Sequence, residues 1–191
     1  MKDIYLKESK VKYEHGLIVG RFQPFHLEHL RYTIAAAKKV NHLWIGITRP
    51  FGNLMPEIGG LRANDSSNPL PYWLRLKCVE TALLKDAGIP RSKFSIIPVS
   101  LNREIAKDVV PQGAIFLTTI VEQWNIDRER LFINAGFKVL RLDLGGKKIS
   151  GSMIREKIKQ GDSTWKNYIS RSIRVKYAPL ITAYVLKGRY K

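Results

Sequence analysis

Short apolar runs alternate along this chain with segments whose apolar residues recur every three or four positions. The short runs are bounded by glycine or polar residues, and they predict buried strands at 16–20, 42–48, 94–99, 114–118 and 138–142. The helical spacing predicts helices at 27–40, 73–87, 125–135 and 152–160. The chain from Ser163 onward also has a helical pattern, but a weak one.

The alternation of strand and helix predicts an α/β fold. Successive right-handed crossovers would give a Rossmann-like parallel sheet with helices on both faces. Ligands of such sheets bind at the carboxyl ends of the strands, so we expect the chemistry just after Val19 and Thr48. A length of 191 residues with 45% apolar content predicts a single domain, 1–191. Residues 1–14 would be an N-terminal extension, and about 166–191 a helical basic tail.

Several features of the sequence bear on the cellular compartment of the protein. No apolar run approaches the roughly 20 residues of a membrane span, and residues 1–14 contain no apolar stretch of the signal-peptide type. The single cysteine, Cys78, cannot form an internal disulfide, which fits a reducing compartment, so we expect a cytoplasmic protein. Its place in a predicted helix favours a buried core thiol over a nucleophile.

The charge of the chain indicates an anionic partner. Lys and Arg number 33 against 16 Asp and Glu, which leaves a formal net charge of +17. Such a charge attracts nucleic acids, phosphorylated small molecules or a membrane surface. The basic residues are spread along the chain, whereas a nucleic-acid arm more often forms one dense block. We therefore expect a phosphorylated small molecule and consider nucleic acid an unlikely partner.

The first candidate site follows the first strand, in the string GRFQPFHLEH at 20–29. Gly20 would let the backbone turn sharply and approach a ligand. His26 and His29 lie three residues apart at a helix start, where they share one face. With Arg21 and the amides of the helix N-terminus they would bind a triphosphate. Packed or surface histidines are the alternative, and a zinc site with Glu28 lacks further ligands at a familiar spacing.

A second basic and hydroxyl-rich string, KISGSMIR, occupies 148–155. Ser150 and Ser152 flank a glycine at a predicted helix start, where their hydroxyls and the first amides can donate to phosphate oxygens. Either serine can also cap the helix. Arg155 adds a planar guanidinium that suits phosphate. This string would form the second half of a phosphate site.

Together the two strings resemble the HxGH and ISxTxIR signatures of the nucleotidylyltransferase superfamily. Their wording and spacing are closest to NMN adenylyltransferases of the archaeal type. Asn68-Pro69 with Arg75, and the segment 126–139, are also similar to that group, so the resemblance covers roughly 16–165. It implies an in-line attack of a substrate phosphate on the α-phosphorus of an NTP, with release of pyrophosphate and no covalent enzyme intermediate.

The resemblance also implies roles for single residues. It assigns catalysis, as charge stabilisation in the transition state, to His26, His29 and Arg155. It assigns nucleotide binding to Gly20, Arg21, Phe22, Gln23, Ser150, Ser152 and Arg75. Mg²⁺ would bridge phosphate oxygens and take few ligands from the protein, so no protein metal site is expected.

Four positions depart from the family pattern, and the catalytic half fits that pattern better than the acceptor half does. Glu28 stands where HxGH has glycine, and its carboxylate would repel a triphosphate unless it turns away or meets Mg²⁺. Ser152 replaces a threonine and keeps the hydroxyl, whereas Leu74 stands where the family has glutamate before Arg75. The stretch 98–103 lacks the tryptophan-containing segment associated with nicotinamide recognition, and Trp124 is either its substitute or a core residue.

The sequence thus predicts a nucleotidyltransferase that joins an NTP, with ATP favoured, to a phosphorylated small molecule. NMN, which would give NAD, is the first candidate acceptor. A cytidylyltransferase or another nucleotidyltransferase of specialised metabolism is the alternative, and the segments 50–71 and 98–111 would decide between them. A nucleotide-binding or RNA-binding protein that has lost catalysis is the non-enzyme alternative. A homo-oligomer is left open.

Overall fold

The computed structural model describes residues 4–6, 12–50, 67–101, 109–119, 123–146 and 148–187. Within these residues the strands are β1 Tyr13–Gly20, β2 Val40–Thr48, β3 Phe94–Val99, β4 Ile115–Thr118 and β5 Val139–Arg141. The α-helices are α1 Leu27–Lys39, α2 Tyr72–Thr81, α3 Gln123–Asn134, α4 Gly151–Lys159 and α5 Arg171–Lys187. Shorter turns of other helix types are the π-helical Ala82–Asp86 and the 3₁₀ segments Arg91–Lys93 and Ser163–Tyr168.

The five strands form one parallel sheet in the order β3-β2-β1-β4-β5. The chain winds outward from β1 through β2 to β3, and then returns to place β4 on the other side of β1. The direction of winding therefore reverses between β1 and β4. In open parallel sheets this switch point leaves a crevice at the carboxyl ends of the strands.

Helices cover both faces of the sheet. Alternate residues of a strand point to opposite faces, and accordingly Ile18 and Leu17 belong to two different cores. The larger core lies under α1, α2, α4 and α5. The smaller core lies under α3, where the Phe132 ring stacks on Phe116 with a centroid separation of 3.9 Å. The prediction of a Rossmann-like parallel sheet with helices on both faces is confirmed.

The predicted elements are all present, with bounds shifted by up to three residues. The main difference is that the helix predicted at 73–87 is α-helical only to Thr81 and then widens into the π-helical segment. Cys78 lies in α2 as a buried free thiol, and burial raises its pKa to about 12. That environment disfavours the thiolate that nucleophilic chemistry needs, in agreement with the expected core thiol.

Part of the predicted N-terminal extension is bound to the sheet edge. The Leu6 N–H donates to the Val139 carbonyl at 2.8 Å, and the Val139 N–H donates to the Ile4 carbonyl at 2.9 Å. Arg141 forms two hydrogen bonds to the buried Glu129 carboxylate, to which the Tyr5 hydroxyl also donates. Burial alone would raise the pKa of Glu129, but these hydrogen bonds outweigh it and hold the pKa below its usual value. None of the helices described is long and apolar enough to cross a membrane.

Candidate active site

A cavity of about 350 Å³ lies at the carboxyl ends of β1 and β4, at the switch point of the sheet. Its walls come from the loop after β1, the first turns of α1, the start of α3 and the start of α4. It brings together nine of the ten residues to which the sequence assigned a role, and these are Gly20, Arg21, Phe22, Gln23, His26, His29, Ser150, Ser152 and Arg155. The exception is Arg75.

The two histidines form a stacked pair at the N-terminus of α1. Their ring centroids are 3.7 Å apart with an interplanar angle of 20°, and His26 is buried as the residue that precedes the first turn. The backbone N–H of His26 donates to Nδ1 of His29 at 3.4 Å. Because Nδ1 accepts this hydrogen bond, the proton of a neutral His29 ring lies on Nε2. His29 can therefore offer an Nε2–H donor to an anion.

Aromatic packing fixes the histidine pair. The Phe22 ring lies edge-on to the His29 ring at a centroid distance of 5.0 Å and packs on Phe25 at 5.3 Å. Phe22 adopts a left-handed backbone conformation with φ of 52°, which for such a residue costs about 1–3 kcal/mol. A Cβ on Gly20 would approach the Phe22 ring to 2.5 Å. Glycine at this strand end thus makes room for the ring that supports His29.

The α4 N-terminus supplies the second wall of the cavity. Ser150 precedes the first turn, and its Oγ accepts a hydrogen bond from the Met153 N–H at 3.2 Å. The prediction that a serine caps this helix is therefore confirmed for Ser150. The hydroxyls of Ser150 and Ser152 lie 3.0 Å apart. Two hydroxyls and the first-turn amides of a helix make a surface that suits phosphate oxygens.

Direct contacts join the two strings that are predicted to bind phosphate. An Arg155 guanidinium N–H donates to the carbonyl of Gln23 at 2.7 Å, and a Cβ on Gly151 would lie 2.6 Å from the same oxygen. The start of α4 therefore lies directly against the loop after β1. Burial lowers the pKa of Arg155, since a desolvated cation is costly. A bound phosphate would restore favourable interactions to that charge.

The Glu28 carboxylate is paired with neighbouring groups in the cavity wall. Its Oε2 lies 2.7 Å from Arg31 of the same helix, and its Oε1 accepts a hydrogen bond from the Lys148 backbone N–H at 3.4 Å. The carboxylate is therefore paired, so the expected repulsion of a triphosphate is reduced. In the parts of the chain that the structure covers, no three His, Cys, Asp or Glu residues gather in a way that could hold a metal ion.

Several cavity residues were not predicted from the sequence, among them the polar residues Arg31, Asn125 and Arg128. The Arg128 guanidinium donates to the Val19 carbonyl at 3.2 Å and to the Thr118 hydroxyl at 3.1 Å. It thereby ties α3 to the ends of β1 and β4. The usable signal was two polar residues, 125 and 128, one helical turn apart after a buried strand, but no known motif marks them.

The comparisons with known proteins identify the family. The family model described as cytidylyltransferase-like matches residues 17–157, which is most of the chain and includes both strings. The chain belongs to the cytidylyltransferase-like family. The predicted nucleotidyltransferase enzyme is thereby confirmed.

Two curated relatives share the same percentage identity with this cytidylyltransferase-like protein. It is 30% identical over 166 residues to the phosphonoformate cytidylyltransferase of Streptomyces viridochromogenes, covering 83% of this chain and 87% of that one. It is also 30% identical over 169 residues to the nicotinamide-nucleotide adenylyltransferase of Archaeoglobus fulgidus, with coverage of 83% and 87%. The predicted resemblance to archaeal NMN adenylyltransferases is confirmed.

Solved structures show the same fold. A bifunctional NMN adenylyltransferase/ADP ribose pyrophosphatase from Francisella tularensis superposes with a TM-score of 0.64 at 18% identity, and another structure of it contains AMP and a Mn ion. The match covers 91% of this chain but 52% of that one, so this chain spans about half of the bifunctional protein. At this identity the likeness concerns the fold.

Arg75 requires a correction, because the structure does not place it on the cavity of this cytidylyltransferase-like protein. Its side chain is fully buried, and the guanidinium donates to the carbonyls of Arg21 at 2.9 Å, Thr48 at 2.6 Å and Arg49 at 2.8 Å. These carbonyls lie at the ends of β1 and β2, and a planar group with five donors can bind all three together. Arg75 therefore supports the site from beneath.

Gln23 lines the cavity, but its side chain has another contact. Its amide accepts from the Leu70 N–H at 2.8 Å and donates to the Leu70 carbonyl at 3.1 Å.

The predicted acceptor segments lie largely outside the described residues, since 51–66, 102–108 and the Trp124 side chain are not covered. The roles assigned to them stay predictions.

Proposed function

We propose that this protein transfers a nucleotidyl group from an NTP, with ATP as the first candidate, to the phosphate of a small molecule, with NMN as the first candidate. The observation that supports this most strongly is that one cavity at the switch point is lined by residues of both candidate phosphate-binding strings. The contacts of Gly151 and Arg155 with Gln23 hold the strings together. A triphosphate in this cavity would contact both.

In the proposed reaction an acceptor phosphate oxygen forms a bond to the α-phosphorus of the NTP. The bond from that phosphorus to the oxygen bridging to the β-phosphorus breaks, and pyrophosphate leaves with the electron pair. His26, His29 and Arg155 would stabilise the charge of the transition state, with the Nε2–H of His29 as a donor. Arg21, Ser150 and Ser152 would bind phosphate oxygens. Catalysis would rest on positioning and fixed electrostatics.

The cavity suits an NTP that arrives with Mg²⁺. Among the described lining residues Glu28 is the one carboxylate, and it is paired with Arg31. Mg²⁺ commonly keeps several waters and binds through substrate phosphates with few protein ligands. The ion would reduce the negative charge of the triphosphate, while the protein residues hold and orient it.

A cytidylyl transfer to a different acceptor is the second candidate. It is favoured by the 30% identity to a phosphonoformate cytidylyltransferase, and by the departures of Leu74 and 98–103 from the NMN pattern. Leu74 is a fully buried core residue. Its hydrocarbon side chain offers no polar group in place of the family glutamate. A cytoplasmic location, a homo-oligomer and little affinity for nucleic acid stay predictions.

The experiment is pyrophosphate release with Mg²⁺, in which four NTPs are crossed with a panel of acceptors. The panel contains NMN and other phosphate monoesters, together with phosphonoformate, which is a phosphonate. Release with ATP and NMN would support the first candidate, and release with CTP and phosphonoformate the second. A folded protein that binds NTPs but releases no pyrophosphate with any pair would contradict the proposal.

A further inference from the structure

Arg31 lies at the mouth of the cavity. Its side chain is 51% exposed and lines the cavity together with His29 and Ser152. Residues three apart on a helix share one face, and Arg31 lies three residues after Glu28. The Arg31 guanidinium therefore lies on the same side of α1 as Glu28, and both residues line the cavity. A planar cation at this place can form paired hydrogen bonds to phosphate.

Glu28 contacts both Arg31 on its own helix and the first residue of the second string. One carboxylate oxygen lies 2.7 Å from an Arg31 nitrogen, and the other accepts the Lys148 N–H at 3.4 Å. Lys148 belongs to the string that ends in α4, 120 positions along the chain. The glycine that the family pattern has here could make neither contact. Glu28 thus holds one cation and one backbone segment at the mouth of the cavity.

An ordinary stabilising role for Glu28 is the competing explanation. A carboxylate in the first turn of a helix interacts favourably with the helix dipole, and exposed pairs three residues apart are common. Asp127 and Arg130 in α3 form such a pair at 4.0 Å, with neither residue on the cavity. The dipole alone explains neither the Lys148 contact nor the place of Arg31. The α3 pair supplies a matched control.

We infer that Arg31 is a further phosphate-binding residue of the nucleotide site and that Glu28 is the residue that positions it. This inference rests on the proposed function. In the free protein Glu28 holds the Arg31 guanidinium at the cavity mouth, and the two opposite charges offset each other. When an NTP binds, Arg31 contacts the outer phosphates, which are released as pyrophosphate, while Glu28 keeps the guanidinium oriented.

The test compares Arg31→Ala, Arg31→Lys and Glu28→Gln with the control Arg130→Ala. KM for the NTP and kcat are measured by pyrophosphate release, and NTP affinity is measured separately by calorimetry with a non-hydrolysable analogue. For Arg31→Ala we expect an about tenfold rise in KM, equivalent to about 1.4 kcal/mol. We expect kcat to change little, since Arg31 would bind ground state and transition state alike. Arg31→Lys restores part of the affinity, and Arg130→Ala leaves both constants unchanged.

The positioning role of Glu28 is tested by a double-mutant cycle. Glu28→Gln is expected to raise KM severalfold in the wild-type background, but to add nothing in the Arg31→Ala background, because the two substitutions remove one interaction. Equal effects in both backgrounds would contradict the positioning role. An unchanged KM and analogue affinity in Arg31→Ala, beside a raised KM in Arg155→Ala, would overturn the inference and leave the proposed function intact. If no acceptor supports release, calorimetry with the analogue still decides the role of Arg31.

Discussion

The four histidines of this chain lie in two different environments. His15 and His42 lie near the amino ends of β1 and β2, where the His42 Nε2 is 3.0 Å from the Ser95 hydroxyl. His26 and His29 stack on each other at the carboxyl end of β1 and line the cavity. At the residue scale, the tertiary position of an imidazole therefore distinguishes a candidate catalytic histidine from one outside the cavity.

His29→Ala is expected to lower turnover by about 10²–10³-fold, the effect typical of losing one preorganised transition-state donor. Pyrophosphate release gives the turnover, and circular dichroism checks that the fold is kept. His15→Ala, which changes a histidine outside the cavity, is the matched control and should keep wild-type turnover. Near-normal turnover of a folded His29→Ala protein would remove the central role proposed for this ring.

At the scale of whole elements, the site depends on how closely α4 lies against the loop after β1. The Gln23 carbonyl accepts from Arg155 and leaves no room for a side chain on Gly151. Beyond α4, Asp162 accepts hydrogen bonds from Lys157 at 2.6 Å and from the Thr164 N–H at 2.9 Å. These contacts fix both ends of α4, so substitutions at either end report on how firmly the helix is held.

Gly151→Ala is expected to raise KM for the NTP severalfold. The added Cβ would lie 2.6 Å from a backbone oxygen, so the start of α4 must move away and the hydrogen bond from Arg155 to Gln23 must lengthen. Gly146→Ala is the control, because a Cβ at Gly146 meets nothing within 4 Å. Steady-state kinetics measure the effect. Equal KM values for the two variants would show that the close approach is not required.

Asp162→Asn is expected to lower the melting temperature at pH 7, and the difference from wild type should shrink in acid. The hydrogen bonds from Lys157 and then Thr164 lower the pKa of Asp162 to about 2. Because this pKa lies below the unfolded value of about 3.9, the stabilisation is complete above about pH 4 and is lost as the pH falls towards 2. Thermal unfolding at several pH values measures it. A difference that stays constant down to pH 2 would contradict this assignment.

At the scale of the whole molecule, the formal charge of +17 favours anionic substrates over long distances. The two strings of the site meet at the switch point, where the cavity opens among arginines from four segments of the chain: Arg21, Arg31, Arg128 and Arg155. The global charge and the local site thus have the same sign. Both should favour the approach of a triphosphate.

NTP affinity is therefore expected to weaken steeply with rising salt concentration, since salt screens exposed charges beyond about 8–10 Å at 0.1–0.15 M. Calorimetric titration with an NTP analogue at increasing concentrations of NaCl measures the dependence. The uncharged nucleoside is the control ligand and should show little dependence on salt. A salt-independent NTP affinity would indicate that the net charge of the protein contributes nothing to binding.

The sequence by itself determined the α/β class, the order of the elements and nine of the cavity residues. Strand and helix periodicities are local properties of the chain, and the two candidate phosphate-binding strings are contiguous, so both are visible without a fold. Arg31 and Asn125 lie outside the quoted strings, and the sequence assigned no role to Arg128, so none of these three was marked as part of the site.

Only the tertiary structure decided what each side chain contacts. Arg75 belongs to a family-like segment, yet the strand ends surround it and bury it beneath the site. Arg128 reaches Val19 across 109 positions, and Glu28 reaches Lys148 across 120. Such contacts depend on how the sheet brings distant segments together, and the periodicity of a single segment contains no information about them.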